Sequence, residues 1–370
     1  MTVLKRVGGL LILLFALGLL LLAHWQSGFA AWYALNIYPI FPRTIGWFVG
    51  LLPFSLFEAS LLFIILYALW VVGRLVYRLV NSDRRAGFKA NFKKSAARVA
   101  LRISYALPIF LLVFVLTAGI NYNRESFADH IGITVQNSSQ DELINMYLLL
   151  VERAEILARQ IETDDEGFFI LRRNGLYRYA RQAMENLHEM HGGLGTFFPR
   201  AKAPVTSRLL LSNFNIGGFF SPWTVEAHYN GDMPCQSIPF IITHELAHVA
   251  GHMREDEANF IAYLACRESD NIDFQYSAVY RGIRYALNAL FRVVDSEKYA
   301  ELFALLPDQI RRDIAGSRAY WQQFQGRAAE VMDRVNDAYL RLNQQADGVQ
   351  SYGRMVDLML AYYRALGLLD

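Results

Sequence analysis

Ser237-Ile-Pro-Phe-Ile-Ile-Thr-His-Glu-Leu-Ala-His-Val-Ala-Gly251 decides how this chain is read. It is an apolar helical run with three ionisable side chains, His244, Glu245 and His248, in HExxH spacing. Histidines four apart lie on one helix face, one turn above the other. Both imidazoles can then reach one zinc ion at about 2.0–2.1 Å. Glu245, beside the first ligand, can take a proton from a water that zinc has acidified. Ser237 is placed as the N-cap, Pro239 falls in the first turn, and Gly251 can end the helix. The surrounding residues are apolar enough to bury the run, and buried ionisable groups need a compensating partner.

Three protein ligands are required for such a site. The segment Glu255-Asp256-Glu257-Ala258-Asn259 opens the next helix. It resembles the Glu-x-x-x-Asp/Asn arrangement that gluzincin-type peptidases carry after HExxH. That resemblance implies Glu255 as third ligand, with Asn259 orienting a ligand imidazole. Glu257 is the rival, because the linker from His248 is short. The acid left over complements the dipole of the new helix. A metzincin would need a third His where Arg254 stands.

Outward from this site the composition changes. The chain has 370 residues, 54% hydrophobic and only 19% charged, with mean hydropathy +0.19. That is too apolar for an ordinary soluble domain. The net charge of +2 gives no field for nucleic acid, and two cysteines cannot build a thiolate metal cluster, although eight histidines are present. The apolar residues concentrate in Val7–Trp25, Leu56–Val72 and Ile103–Ile120, each near the ~20 residues that cross a bilayer. We read three transmembrane helices, the first an uncleaved anchor. Lys5 and Arg6 precede the first run. Arg74, Arg78, Arg84, Arg85, Lys89, Lys93, Lys94, Arg98 and Arg102 lie between the second and third. The positive-inside rule places the N-terminus and this basic loop in the cytoplasm, against anionic lipid, and residues 121–370 outside.

Residues 1–120 thus form a membrane domain and 121–370 an extracytoplasmic one. The expected class is α+β, mostly helical, with a zincin-like HExxH domain and one small sheet. Helices are expected at Asp141–Gln160, Leu176–Met190, Ser237–Ala250, Glu255–Arg267, Phe274–Val294, Ser296–Leu305, Asp308–Asn343 and Ser351–Leu368. Val205–Ser212 and Phe219–Tyr229 read as strands. Glu226 and His228, in the second of these, are candidates to line a substrate cleft. Tyr352 and Arg354 are candidates to stabilise an oxyanion, although a structural Arg paired with an acid is the favoured reading of Arg354. Cys235 and Cys266 face an oxidising compartment, where a disulfide and two separate thiols are both open.

Longer strings carry a wider resemblance. Ile238–His248 with Arg254–Cys266, Gly50-Leu-Leu-Pro-Phe-Ser55, Gly119-Ile-Asn-Tyr-Asn-Arg124, Gly217–His228 and Asp347–Val356 together resemble a bacterial membrane family known as domain of unknown function 3810. The resemblance implies a zinc-peptidase-like protein of the bacterial cytoplasmic membrane. One departure is Ala118-Gly119 where Trp-Gly is expected. The functional expectation is zinc-dependent hydrolysis of a peptide or protein substrate. A non-catalytic zinc-binding sensor or scaffold is the alternative. Intramembrane proteolysis is disfavoured, because the HExxH lies about 120 residues beyond the last span and acids follow it.

Overall fold

The uncharged runs form long helices in the computed structural model, which describes residues 2–80, 88–343 and 354–369. Helix α1 is Thr2–Trp25, α2 Ser27–Asn36, α3 Trp47–Gly50, α4 Leu56–Val80 and α5 Phe88–Phe114. Three segments are long and apolar enough to cross a membrane: Val7–Trp25, Leu56–Arg74 and Leu101–Asn123. Their side chains are largely exposed, an arrangement that suits a lipid solvent better than water. The third span continues past α5 through a π-helical turn, Val115–Gly119, and a 3-10 turn, Ile120–Asn123.

Among the other described residues, regular structure is helical apart from one hairpin. After α6 (Phe127–His130), α7 (Gln140–Ala158) and α8 (Leu176–His191) come strands β1 (Gly218–Ser221) and β2 (Glu226–Tyr229). Helices α9 (Ile238–Val249), α10 (Glu255–Arg267), α11 (Ile272–Val293), α12 (Ser296–Ala304), α13 (Asp308–Gln322), α14 (Arg327–Leu342) and α15 (Arg354–Ala365) follow. The two strands pair antiparallel, with Gly218 opposite Tyr229 and Ser221 opposite Glu226. α9 is buried on nearly every face between β2, α8, α10 and α11. Phe240, Phe260, Tyr263, Tyr276 and Tyr280 fill the surrounding core. Tyr38, Tyr33, Ile120 and Met253 form a second core where the spans meet this body.

Several local expectations need correction. Val205–Ser212 is not a strand: Ser207–Ser212 is a π-helical turn. The Glu58 carboxylate, from the start of α4, accepts hydrogen bonds from the N–H of Val205 and Thr206 and from the Thr206 hydroxyl. That satisfies the turn's leading donors from outside. Phe219–Tyr229 is a hairpin rather than one strand. Asp308–Asn343 is two helices, broken at residues 323–326. Ser237 does not cap α9; the Phe240 N–H instead donates to the Ser277 hydroxyl of α11 at 3.2 Å. Cys235 and Cys266 are separate thiols, and Cys266 is buried against the Thr243 hydroxyl at 3.1 Å.

The segment between the first two spans is more than a loop. It is helical and locked to the body behind α9. The Tyr38 hydroxyl donates to the carbonyls of His248 and Val249 at 3.2 and 3.1 Å, the C-terminal end of α9. Arg124, just after the third span, donates to the Ala250 carbonyl at 3.3 Å. The buried Lys202 ammonium donates to the carbonyls of Val49 and Phe54 and to Glu226, each at 2.8 Å. Glu226 in turn accepts the N–H groups of Leu56 and Phe57 at the start of α4, where the helix dipole favours an acid. The start of α4 thus receives a carboxylate from the hairpin, Glu226, and gives its own, Glu58, to the turn at Val205 and Thr206.

Candidate metal centre

The i, i+4 spacing brings His244 Nε2 and His248 Nε2 within 3.1 Å. α10 returns across α9 and adds Glu255, whose carboxylate lies 3.1 Å from His244 Nε2 and 3.6 Å from His248 Nε2. These three side chains form a group able to hold a metal ion. Ligand atoms ~2.0–2.1 Å from a tetrahedral zinc stand roughly 3.3 Å apart, so the observed separations fit one ion.

The turn after α9 fixes one ligand. Gly251 has φ +91°, a left-handed conformation, and a Cβ there would lie 3.1 Å from the Tyr38 ring. Its N–H bonds the His248 carbonyl at 2.9 Å, and the His252 N–H bonds the Ala247 carbonyl at 3.0 Å. This Schellman closure swings the His252 carbonyl onto His248 Nδ1 at 2.7 Å. Nδ1 must carry the proton, so the Nε2 lone pair faces the other ligands. Burial pushes His248 down to about 4, which keeps the imidazole neutral. An Nε2 pair held this close, with a carboxylate across from it, is a donor set suited to one cation.

Glu245 is buried under the hairpin. A Cβ on Gly218 would sit 2.6 Å from Glu245 Oε1 and 2.8 Å from the His228 carbonyl, so only glycine lets β1 approach this closely. Burial first, then the neighbouring Glu255 carboxylate, push the Glu245 carboxyl well above its ordinary range. Its Oε2 has no hydrogen-bond partner among the described residues. A nearby cation would reverse that penalty, which again suits the donor set.

A cavity of about 560 Å³ opens over these groups. Its walls come from β1 and the turn after it, α9, α11 and α14, and its floor includes Phe114, Ala118 and Tyr122 of the third span. β2 is covered on its far edge by the Lys202 segment, through Lys202 N–H to the Ala227 carbonyl at 3.0 Å and Tyr229 N–H to the Lys202 carbonyl at 2.9 Å. β1 pairs with no second strand among the described residues, and its Gly218, Phe219 and Phe220 line the cavity.

The other candidates fall in different places. Glu257 is not part of the group: it pairs with Arg254 at 3.2 Å and His252 at 3.3 Å and accepts the Phe127 N–H. Burial lifts it to about 7 even beside Arg254. Asn259 lines the cavity but bonds neither ligand imidazole, and its Nδ2 and His244 Nδ1 have no described partner. Glu226 and His228 do not line the cavity. Glu226 takes Lys202, and His228 stacks on Phe219 with Nε2 2.8 Å from the Ser55 hydroxyl. Ser55, His228 and Glu226 are not a nucleophilic triad, because Glu226 approaches the same ring nitrogen that meets Ser55, at 3.9 Å. Arg354 lies 3.6 Å from Asp256 and away from the cavity. Tyr352 is outside the described residues. Gly218, Tyr38 and Lys202 also shape the site and its supports without a chemical motif of their own in the sequence. Of these only Gly218 leaves a trace, as the second glycine before an apolar pair.

A family model described as protein of unknown function (DUF3810) matches residues 33–360. No curated protein and no solved structure matches the chain.

Proposed function

The chain belongs to the DUF3810 family, and from the site it carries we propose a membrane-anchored, zinc-dependent metallopeptidase with its active site on the extracytoplasmic side. The observation that carries this reading is the spacing of His244, His248 and Glu255 with Glu245 adjacent. Two imidazoles and one carboxylate suit zinc among the divalent metals. When bound, the ion would polarise a carbonyl and acidify water. Glu245, with one carboxylate oxygen unpartnered, accepts a proton from the attacking water and returns it to the leaving amine. The free edge of β1 can pair with an extended peptide, strand to strand, as it passes the ligands. Phe114, Ala118 and Tyr122, at the end of the third apolar segment, line the same cavity, which supports a substrate taken at the membrane surface.

The topology belongs to this proposal: basic residues flanking α4 and α5 stay in the cytoplasm, and the body follows the third span outward. The test is hydrolysis of a mixed peptide library by the detergent-purified protein. Cleavage should vanish on chelation and return with stoichiometric zinc. Cleavage indifferent to chelation, in protein shown to have lost its metal, refutes a metallopeptidase.

A further inference from the structure

α11 crosses the first turn of α9, anchored where Ser277 accepts the Phe240 N–H and donates to the Gln236 carbonyl at 2.6 Å. One and two turns further along α11 stand Arg281 and Arg284, both lining the metal cavity. The Arg281 guanidinium lies over Phe240 and Tyr285, 5.0 and 5.2 Å from the ring centroids, and donates to the Tyr285 hydroxyl at 3.2 Å. Its Nε is buried without a hydrogen-bond partner among the described residues. Arg284 donates to the Tyr280 hydroxyl at 3.2 Å. Aromatic faces and hydroxyls thus hold both guanidiniums in place, while neither forms an ion pair with a carboxylate among the described residues. Asp333, across the cavity on α14, lines the same space without reaching either.

We propose that Arg281 and Arg284 form a carboxylate subsite of the metal cavity, so that the substrate is a peptide carrying an anionic group near the scissile bond. This rests on the peptidase reading above. Guanidinium forks match carboxylate geometry, and a pre-oriented pair loses little freedom on binding. Phe240, under Arg281, precedes His244 by one turn of α9, about 6 Å, or roughly two residues of extended chain. The carboxylate is therefore either the free C-terminus about two residues from the cleaved bond or an Asp or Glu side chain there.

Three peptide hydroxamates test this on the zinc-loaded, detergent-purified full chain. One ends in a free carboxylate two residues from the hydroxamate. One carries a Glu side chain there with an amidated end. The third is the uncharged carboxamide. The first or second should bind the wild type roughly tenfold or more tighter than the third, and which one does identifies the carboxylate's source. Arg281→Gln/Arg284→Gln should erase the preference while keeping the carboxamide affinity. Arg284→Gln alone, which leaves the stacked Arg281 in place, should reduce it. Equal binding of all three to wild type overturns the subsite, as does a preference that survives the Gln variants. Failure of even the carboxamide to bind wild type overturns the peptidase reading itself, and the subsite with it.

Discussion

Glu245→Gln is expected to leave the protein folded and metal-loaded while cutting peptide hydrolysis by about 10²–10⁴-fold. The substitution is isosteric, so the tight packing of β1 over this side chain is kept. It removes a carboxylate that burial and Glu255 already disfavour in the absence of a cation, so the apo protein should be no less stable than wild type. What it removes is the carboxylate beside His244 that is not one of the three candidate ligands. The paired assay is turnover and metal content on the same preparation. A scaffold or sensor on the same fold gives a different pattern: neither quantity changes, because such a protein has no turnover to lose.

The second large effect lies away from the cavity. Lys202→Met should destabilise the protein by about 3–5 kcal/mol, because it strands a buried carboxylate. Lys202 and Glu226 are 6% and 3% exposed, and their contact is 2.8 Å. Burial raises the Glu226 pKa, but the Lys202 ammonium and the α4 N–H groups outweigh it and hold the group below its usual value. Without the ammonium, those N–H groups and the Thr224 hydroxyl must balance the charge. Two carbonyls of the inter-span segment also lose their donor. Thermal or denaturant unfolding in detergent reads the effect. Lys202→Met/Glu226→Gln should recover most of the loss, since the pair is coupled. A single variant as stable as wild type would mean that the pair does not hold the second span to the hairpin.

Much of this arrangement is legible in sequence because it is local. Uncharged runs such as Val7–Trp25 announce their solvent, and HExxH spacing places two imidazoles on one face whatever surrounds the helix. The misreadings come from partners distant in the chain. Glu226 and His228 alternate with apolar residues just as cleft residues do. Only the fold reveals that their surroundings are Lys202, Ser55 and the start of α4. Glu255 and Glu257 share one helical turn, and nothing local separates them. The difference is that Arg254, His252 and the Phe127 N–H claim Glu257. Val205–Ser212 carries strand-like residues, yet a carboxylate from the second span fixes it as a turn. The helical pattern read as continuous across residues 308–343 holds a break at residues 323–326, where Gly326 precedes α14. Tyr38 gives no sequence signal, although it braces the end of the helix that carries both histidines.

The central claim is that His244, His248 and Glu255 hold one metal ion. The most direct measurement is metal content of the detergent-purified protein by elemental analysis, for wild type, His244→Ala and Glu255→Gln. The account expects about one zinc per chain in wild type, none in His244→Ala and a weakened, readily chelated fraction in Glu255→Gln. No metal in wild type after zinc is offered, or full occupancy in His244→Ala, would contradict it.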